Sequence, residues 1–268
     1  MARIYEYNLY FDASGHVDKW DYLCVTGCAS RIGQWRSFDE RWKALLKKYK
    51  LPWPFHMTDF IAGREDKGYG YFKNQEEKQD AFCLEAIEIM RKTVRKCVSA
   101  LIELAPFDAI RQQYLFPDGL EANDAYMWTA GLTQLQMVRW SQQHAGKDDR
   151  IKIIFAIGDK TQPQFLVKYA ELYKLPPPML TTPDQASPLQ AADMLAWEHR
   201  TSVLYKKQGK PLRASYKHIQ KLLSLDWKEY DTATLHKVCE EGVQQGLFIR
   251  KVPGTKGQAF GMQIVPPS

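Results

Sequence analysis

Apolar and polar positions alternate near the start of the chain, and this pattern predicts an N-terminal β-hairpin. Residues 4–12 are rich in strand-forming Ile, Tyr, Leu and Phe, and the run is broken by Ala-Ser-Gly at 13–15. Residues 21–30 are predicted to return as a second strand. Asp12 is therefore expected at the carboxyl end of the first strand.

Farther along the chain, helical and strand-like patterns alternate. Residues 97–105 and 151–157 are apolar runs typical of strands, and the second is continuous enough to predict a strand covered on both faces. Residues 106–119 are predicted to be a connection. Three segments repeat apolar residues at helical spacing: 37–49, 75–96 and 124–144. This alternation predicts an α/β protein in which helices pack on a sheet.

Residues 187–198 predict a helix that buries an acid. Ser187 is a candidate N-cap, and Gln190 stands three residues later, as in a capping box. Projected at about 100° per residue, Asp193 falls in one stripe with Leu189, Ala192, Ala196 and Trp197. A carboxylate in a core-facing stripe is costly unless it is paired with Arg or Lys, protonated, or bound to a cation.

Three acids are candidates for one site. Asp12 and Asp159 end predicted strands, and the carboxyl ends of strands form the functional crevice of α/β folds. Together with Asp193 they would repel one another unless a cation joined them, and oxygen-only ligation favours Mg²⁺ or Mn²⁺. Such a site can activate water against a phosphodiester. The alternatives are that the strand-end acids only cap turns and that Asp193 lies in a buried ion pair.

His56 and Asp59 form a second candidate group within the segment Phe-His-Met-Thr-Asp-Phe at 55–60. The imidazole can move protons near neutral pH, so His56 is a candidate catalytic residue. A purely structural contact between His56 and Asp59 is the alternative.

The chain has 268 residues, a net charge of +6 and five cysteines. No Cys-x-x-Cys pair occurs, which argues against zinc-finger and thioredoxin-type sites. The first residues carry no long apolar run and no stretch is long enough to cross a bilayer, so we expect a cytoplasmic protein without a membrane partner.

A basic run follows the Asp193 helix. Lys206, Lys207, Lys210 and Arg213 could follow a phosphate backbone, and the basic net charge is compatible with a nucleic-acid partner. The alternative is an ordinary solvated helix face.

Four motifs occur in the order expected for a known family. The segments Tyr-Phe-Asp-Ala-Ser-Gly (10–15), Phe-His-Met-Thr-Asp (55–59), Phe-Ala-Ile-Gly-Asp (155–159) and Ser-Pro-Leu-Gln-Ala-Ala-Asp (187–193) resemble those of domain-of-unknown-function family 3800. The resemblance spans about residues 4–200. It implies a ribonuclease H-like fold, with a central mixed β-sheet flanked by helices, and a metal-dependent nuclease-like site at Asp12, Asp159 and Asp193.

Together these observations predict a single ribonuclease H-like domain over residues 1–250. It would include a helical C-terminal extension from about residue 203, followed by a loosely ordered tail at 251–268. The predicted function is a Mg²⁺- or Mn²⁺-dependent nuclease acting on RNA or DNA.

Two departures from the family pattern motivate an alternative function. Ala13 replaces the usual Glu after the first Asp, and no acid precedes the Gly-Asp turn, where Ala156 and Ile157 stand. The alternative is a catalytically impaired, nuclease-like module that binds nucleic acid or a protein partner. A third possibility is a purely structural protein in which Asp193 pairs with a buried Arg.

Overall fold

The computed structural model describes residues 6–15, 21–115, 125–146, 149–157, 162–172, 174–244 and 249–250. The strands are β1 (Glu6–Ser14), β2 (Tyr22–Arg31), β3 (Lys96–Glu103), β4 (Tyr114–Leu115), β5 (Arg150–Ala156), β6 (Met179–Thr181), β7 (Leu225–Tyr230) and β8 (Ile249–Arg250). The helices are α1 (Ile32–Tyr49), α2 (Met57–Ala62), α3 (Glu76–Thr93), α4 (Leu104–Arg111), α5 (Ala125–His144), α6 (Gln162–Leu172), α7 (Ser187–Lys207), α8 (Ala214–Leu222) and α9 (Thr232–Gln244). Short 3₁₀ turns occupy Glu65–Lys67 and Gly70–Phe72.

Six strands form a mixed sheet in the order β6-β5-β1-β2-β3-β7. Strand β2 is antiparallel to both of its neighbours, β1 and β3, whereas the other adjacent pairs are parallel. Strands β4 and β8 form a separate two-stranded ribbon. The predicted α/β class, with a central mixed sheet flanked by helices, is confirmed.

Helices cover both faces of the sheet. Helix α7 packs on β1 and β2 from one side, and α5 packs on β2 and β3 from the other. Because side chains alternate along a strand, Leu9 and Phe11 point into the core shared with α5. Tyr10 packs on the opposite side, in the core shared with α7. Asp12 has the same parity as Tyr10, so the alternation of β1 directs it towards α7.

The core between the sheet and α7 is rich in aromatic rings. Trp42 of α1 packs edge-on against Phe55 at 5.8 Å, and Phe55 lies within 5.0 Å of Phe82 and 5.3 Å of Phe60. These edge and tilted contacts join α1, α2 and α3 to the segment that carries His56. The segment is therefore fixed by core packing on one side.

Helix α7 is not amphipathic. Every residue from 187 to 203 is buried, so the helix is enclosed on all sides and has no single core-facing stripe. Ala191, Ala192 and Ala196 have no exposed surface and allow close approach to the sheet. The burial of Asp193 was predicted correctly, but the stripe used to predict it does not describe the helix.

The C-terminal part differs from the prediction of a helical extension. Helix α7 continues to Lys207, and between α8 and α9 the strand β7 adds to the edge of the sheet beside β3. Strand β7 is half-exposed and carries several polar residues, so its sequence lacks the apolar alternation that identifies a strand. The predicted tail at 251–268 lies outside the described residues.

Two local predictions are also wrong. Helix α4 begins at Leu104, at the end of the predicted strand 97–105, and covers the first part of the predicted connection 106–119. Its Pro106 stands in the first turn, where a missing N–H is tolerated. Helix α1 begins at Ile32, before the predicted start at residue 37. Within the described ranges, no helix combines the length and apolar character required to span a bilayer.

Candidate active site

The site centres on two carboxyl groups at the junction of β1 and α7. Asp193 is only 3% exposed, and its Oδ2 accepts a hydrogen bond from the Met57 N–H at 2.7 Å. Asp12 is partly buried, and its Oδ1 accepts one from the Ala13 N–H at 2.7 Å. Burial raises the pKa of Asp12 well above its usual value, and the neighbouring charge of Asp193 raises it further. The structure therefore brings these two predicted acids together.

His56 and Arg200 both act electrostatically on Asp193. In the described part of the chain, no ion pair within 4.0 Å joins a Lys or Arg to either carboxylate, and His56 Nε2 lies 3.9 Å from Asp193 Oδ1. Burial raises the pKa of Asp193, while the charges of His56 and, more weakly, the buried Arg200 lower it. The Arg200 Nε donates to Ser14 Oγ at 3.1 Å. Among the described residues, no ion pair within 4.0 Å joins Asp193 to an Arg, although the charge of Arg200 acts on Asp193.

His56 faces the acid pair from α2. Its side chain is half-exposed, and its Nδ1 lies 3.1 Å from Asp59 Oδ2. Asp59 is in turn 3.6 Å from a guanidinium nitrogen of Arg64. With Nδ1 held by Asp59, the other ring nitrogen is directed towards Asp193. The predicted His56–Asp59 contact is therefore present, and it orients the imidazole.

Three side chains from distant elements hold the backbone of residues 55–57, which we call the His56 segment. Each consecutive backbone N–H has its own acceptor: Phe55 donates to Gln190 Oε1 at 3.0 Å, His56 to the Tyr69 hydroxyl at 2.9 Å, and Met57 to Asp193 Oδ2 at 2.7 Å. Satisfying all three buried donors fixes the segment rigidly. Asp193 thus positions the backbone that carries His56 as well as facing Asp12.

Gln190 has a different role from the predicted one. Helix α7 has Ala186 as its N-cap and no capping side chain, and Ser187 Oγ donates instead to Asp39 Oδ1 at 2.8 Å. The fully buried Gln190 also accepts from Trp42 Nε1 at 2.8 Å and donates to the Pro183 carbonyl at 2.7 Å. The Gln190 amide is therefore taken up by Trp42, Phe55 and Pro183, and it does not complete a capping box. Sequence reasoning missed both Gln190 and Tyr69 as partners of the His56 segment.

Asp159 lies outside the described residues. Strand β5 runs parallel to β1, pairs Phe155 with Phe11, and ends at Ala156, three positions before Asp159 in the chain. Within the part of the chain that the structure describes, no group of three or more His, Cys, Asp or Glu could hold a metal ion. The predicted three-acid ligand set stays a prediction, with two of its members adjacent.

The predicted basic contacts are mostly engaged within the protein. Lys206 lies 3.6 Å from Glu229, and Lys207 lies 2.9 Å from Glu103 and 3.0 Å from the Tyr22 hydroxyl. Lys210 lies 5.8 Å from the centre of the Tyr205 ring. On a rise of about 1.5 Å per residue, Lys207 is about 20 Å along α7 from Asp193. This run is therefore remote from the acid pair.

Arg213 has an internal role. Its side chain is only 12% exposed, and it lies 3.0 Å from Asp80 and 3.5 Å from Glu198. Its guanidinium also lies over the Trp197 ring at 5.4 Å. These contacts engage Arg213 within the protein, and its predicted contact with nucleic acid stays a prediction. Glu198 belongs to this ion-pair group and not to the acid pair.

Comparison with known proteins leaves the family unassigned. No family model matches the chain, and no curated protein matches it. Among solved structures it is similar to the PCNA:RNase HII complex from Archaeoglobus fulgidus, with 13% sequence identity, coverage of 96% of this chain and 98% of that chain, and a TM-score of 0.39. A TM-score this low carries no conclusion about function. The resemblance to family 3800 stays a prediction from the motifs.

Proposed function

We propose that this chain is a divalent-metal-dependent nuclease that hydrolyses phosphodiester bonds of RNA or DNA. The observation that carries the proposal is the adjacency of Asp12 and Asp193 without a Lys or Arg within 4.0 Å among the described residues. Two such carboxylates repel each other, so a cation between them is favoured.

The donor set fits Mg²⁺ or Mn²⁺. Protein sites for Mg²⁺ commonly use one or two carboxylates and leave the other positions to water and substrate phosphates. One oxygen of each acid accepts a backbone N–H, which leaves Asp12 Oδ2 and Asp193 Oδ1 without a hydrogen-bond donor in the described part. Asp12 and Asp193 would hold the ion, with Asp159 as a third ligand. When bound, the ion supplies Lewis-acid polarisation of the phosphate and lowers the pKa of water.

We propose that His56 transfers a proton during hydrolysis of the phosphodiester. Asp59 holds Nδ1, so Nε2 is the ring nitrogen available to take a proton from attacking water or give one to the leaving oxygen. Its half-exposed side chain can reach a substrate phosphate from the solvent side. The hydrogen bonds to the His56 segment keep the imidazole beside the acids.

The test is cleavage of labelled single-stranded RNA and DNA oligonucleotides with Mg²⁺ or Mn²⁺. Asp12→Asn and Asp193→Asn are each expected to lower the rate at least about 100-fold, and His56→Ala to lower it by a similar factor. Asp108→Asn is the control, since Asp108 is exposed and pairs only with Arg111. Unchanged metal-dependent cleavage in Asp12→Asn and Asp193→Asn would contradict the proposal.

A second candidate function is binding of nucleic acid without cleavage. Two observations favour it: the described residues offer no group of three metal-ligating side chains, and Ala13 stands beside Asp12 where the family pattern has Glu. This function requires salt-sensitive binding with no turnover. Calorimetry that shows tight Mn²⁺ binding, abolished in Asp193→Asn, would exclude it.

A further inference from the structure

Two large aromatic rings are exposed next to the His56 segment. Trp53 is 41% exposed and stands three residues before His56, so chain length alone keeps their Cα atoms within about 11 Å. Tyr71 is 68% exposed and follows Tyr69, the residue whose hydroxyl holds the His56 N–H. The other large exposed hydrophobic residues of the described ranges are aliphatic. Among the described residues, the two large exposed aromatic side chains therefore lie close in sequence to residues of the His56 segment or to its partner Tyr69.

Both rings are held in place. Trp53 Nε1 donates to the Asp184 carbonyl at 3.2 Å, and Asp184 lies just before α7. Tyr71 packs edge-on against the buried Phe72, with ring centres 5.3 Å apart at 90°. Both rings keep exposed surface, and because they are already held in place they lose little conformational entropy when a ligand stacks on them.

A lysine side chain lies near each of the two rings. The Nζ of Lys43 lies 5.2 Å from the centre of the Trp53 ring, and that of Lys78 lies 4.1 Å from the centre of the Tyr71 ring. A hydrogen bond from Lys78, the charge of Lys78 and, less strongly, the charge of Lys50 lower the pKa of the Tyr71 hydroxyl. Lys43 pairs with Asp39 at 2.8 Å.

Lys50 and Lys78 carry positive charge that no acid of the described residues pairs with, and Lys78 also contacts the Tyr71 ring. Neither has a carboxylate within 4.0 Å in the described part of the chain. Lys206, Lys207 and Arg213 of the basic run are in contrast paired with acids of the protein itself. Unpaired positive charge beside open aromatic faces is complementary to a phosphate backbone with unpaired bases.

We infer that Trp53, Tyr71, Lys50 and Lys78 form a platform that binds single-stranded nucleic acid and directs it to the acid pair. Unpaired bases stack on the two rings, and the lysines contact phosphates. A duplex cannot use these rings, because its bases already stack on one another. The inference rests on the proposed function and narrows its substrate class to single-stranded RNA or DNA, or to unpaired segments.

The first test measures binding without cleavage. Full-length protein in EDTA is titrated into fluorescently labelled 12-nucleotide single strands and the matching duplex, and anisotropy gives Kd. Trp53→Ala and Tyr71→Ala are each expected to weaken single-strand binding at least five-fold. Trp53→Phe and Tyr71→Phe should retain most of the affinity, because a stacking face remains. Ile32→Ala, which replaces a similarly exposed apolar residue at the start of α1, is the control and should not change it.

The second test measures the salt dependence of the same binding. Removing one lysine that neutralises a phosphate should reduce the slope of log K against log salt by about 0.7 for a single strand, so Lys50→Gln and Lys78→Gln should each do so. Lys206→Gln and Lys207→Gln should leave the slope unchanged. The reverse result would place the nucleic acid on the basic run and overturn the inference.

The outcomes separate the platform from the catalytic proposal. Single-strand binding that depends on Trp53 and Tyr71, with no cleavage when Mg²⁺ or Mn²⁺ is added, supports the platform and refutes the nuclease. Cleavage that persists with unchanged single-strand affinity in both alanine variants refutes the platform and leaves the nuclease. Equal loss of duplex affinity in these variants would overturn the single-strand assignment.

Discussion

At the scale of single residues, Asp193 combines a structural and a chemical role at a cost in stability. Its Oδ2 accepts a hydrogen bond from the Met57 N–H, and its carboxyl group lies beside Asp12 in a poorly solvated place. Burial without a direct cationic partner destabilises a carboxylate, and the raised pKa of both acids expresses that cost. Such strain in a binding site is relieved when a ligand of opposite charge arrives.

Asparagine at position 193 should stabilise the metal-free protein. Asp193→Asn removes the repulsion with Asp12 but keeps an oxygen for the Met57 N–H, so in EDTA near pH 7 the free energy of unfolding is expected to rise. Asp193→Ala leaves that buried N–H unpaired and should be less stable than Asp193→Asn by about 1–3 kcal/mol. Urea unfolding measures both.

Added Mn²⁺ provides the matched comparison. It should raise the unfolding free energy of the wild type, because it binds the folded state, and should raise that of Asp193→Asn much less. A wild type that Mn²⁺ does not stabilise would contradict the metal site. An Asn variant less stable than the wild type in EDTA would show that the two acids do not destabilise each other.

At the scale of elements, α7 joins the sheet to the His56 segment through Gln190. The buried Gln190 amide accepts hydrogen bonds from the Trp42 indole and the Phe55 N–H, and it donates one to the Pro183 carbonyl. Three elements therefore depend on a side chain that the sequence presents as part of a helix cap.

Replacing that amide should be costly. Gln190→Leu preserves volume but leaves the Trp42 and Phe55 N–H groups without an acceptor, so we expect a decrease of about 2–5 kcal/mol in the free energy of unfolding. Gln208→Leu is the control at the exposed end of α7 and should change it by less than about 0.5 kcal/mol. A Gln190→Leu variant as stable as its control would show that water or rearrangement satisfies these donors.

Sequence patterns predicted elements better than they predicted contacts. The strands β1, β2, β3 and β5 and the long helices follow local periodicity, and the parity of β1 places Asp12 on the α7 side. Strand β7 escaped prediction because an edge strand needs no apolar alternation, and α4 because Pro106 resembles a helix breaker. The hydrogen bonds to the His56 segment join residues 13 to 136 positions apart, and no local pattern contains that information.

At the scale of the whole molecule, Glu198 and His199 of α7 make the free energy of unfolding depend on pH in opposite directions. Burial raises the pKa of Glu198 to about 7, outweighing the nearby Arg213, and burial lowers the pKa of His199 to about 3. Glu198 accepts from Ser215 Oγ at 2.6 Å, while His199 Nδ1 lies 2.8 Å from Ser99 Oγ and its ring stacks on Trp227 at 4.5 Å. Compared with the unfolded chain, the folded protein therefore favours the neutral form of each side chain.

The sign of each residue's contribution to the free energy of unfolding depends on whether the folded or the unfolded protein binds the proton. Below about pH 6.5 the unfolded chain protonates His199 and the folded protein does not, so this residue costs stability as the pH falls towards 3. Between about pH 7 and 4.3 the folded protein protonates Glu198 and the unfolded chain does not, so this residue adds stability as the pH falls. Between about pH 6.5 and 4.5 the two contributions largely cancel.

Removing either residue should expose the contribution of the other. Relative to wild type, Glu198→Gln is expected to lose roughly 1 kcal/mol per pH unit on acidification from 6.5 to 4.5, and His199→Gln to gain about as much. Urea unfolding at several pH values gives these slopes, and because differences in slope are compared, a constant packing defect in either variant does not matter. His144→Gln removes an exposed imidazole of α5 as the control. If both variants ran parallel to wild type, burial would not be holding either group neutral, and the enclosure of α7 by sheet and helices would not be as dry as its packing indicates.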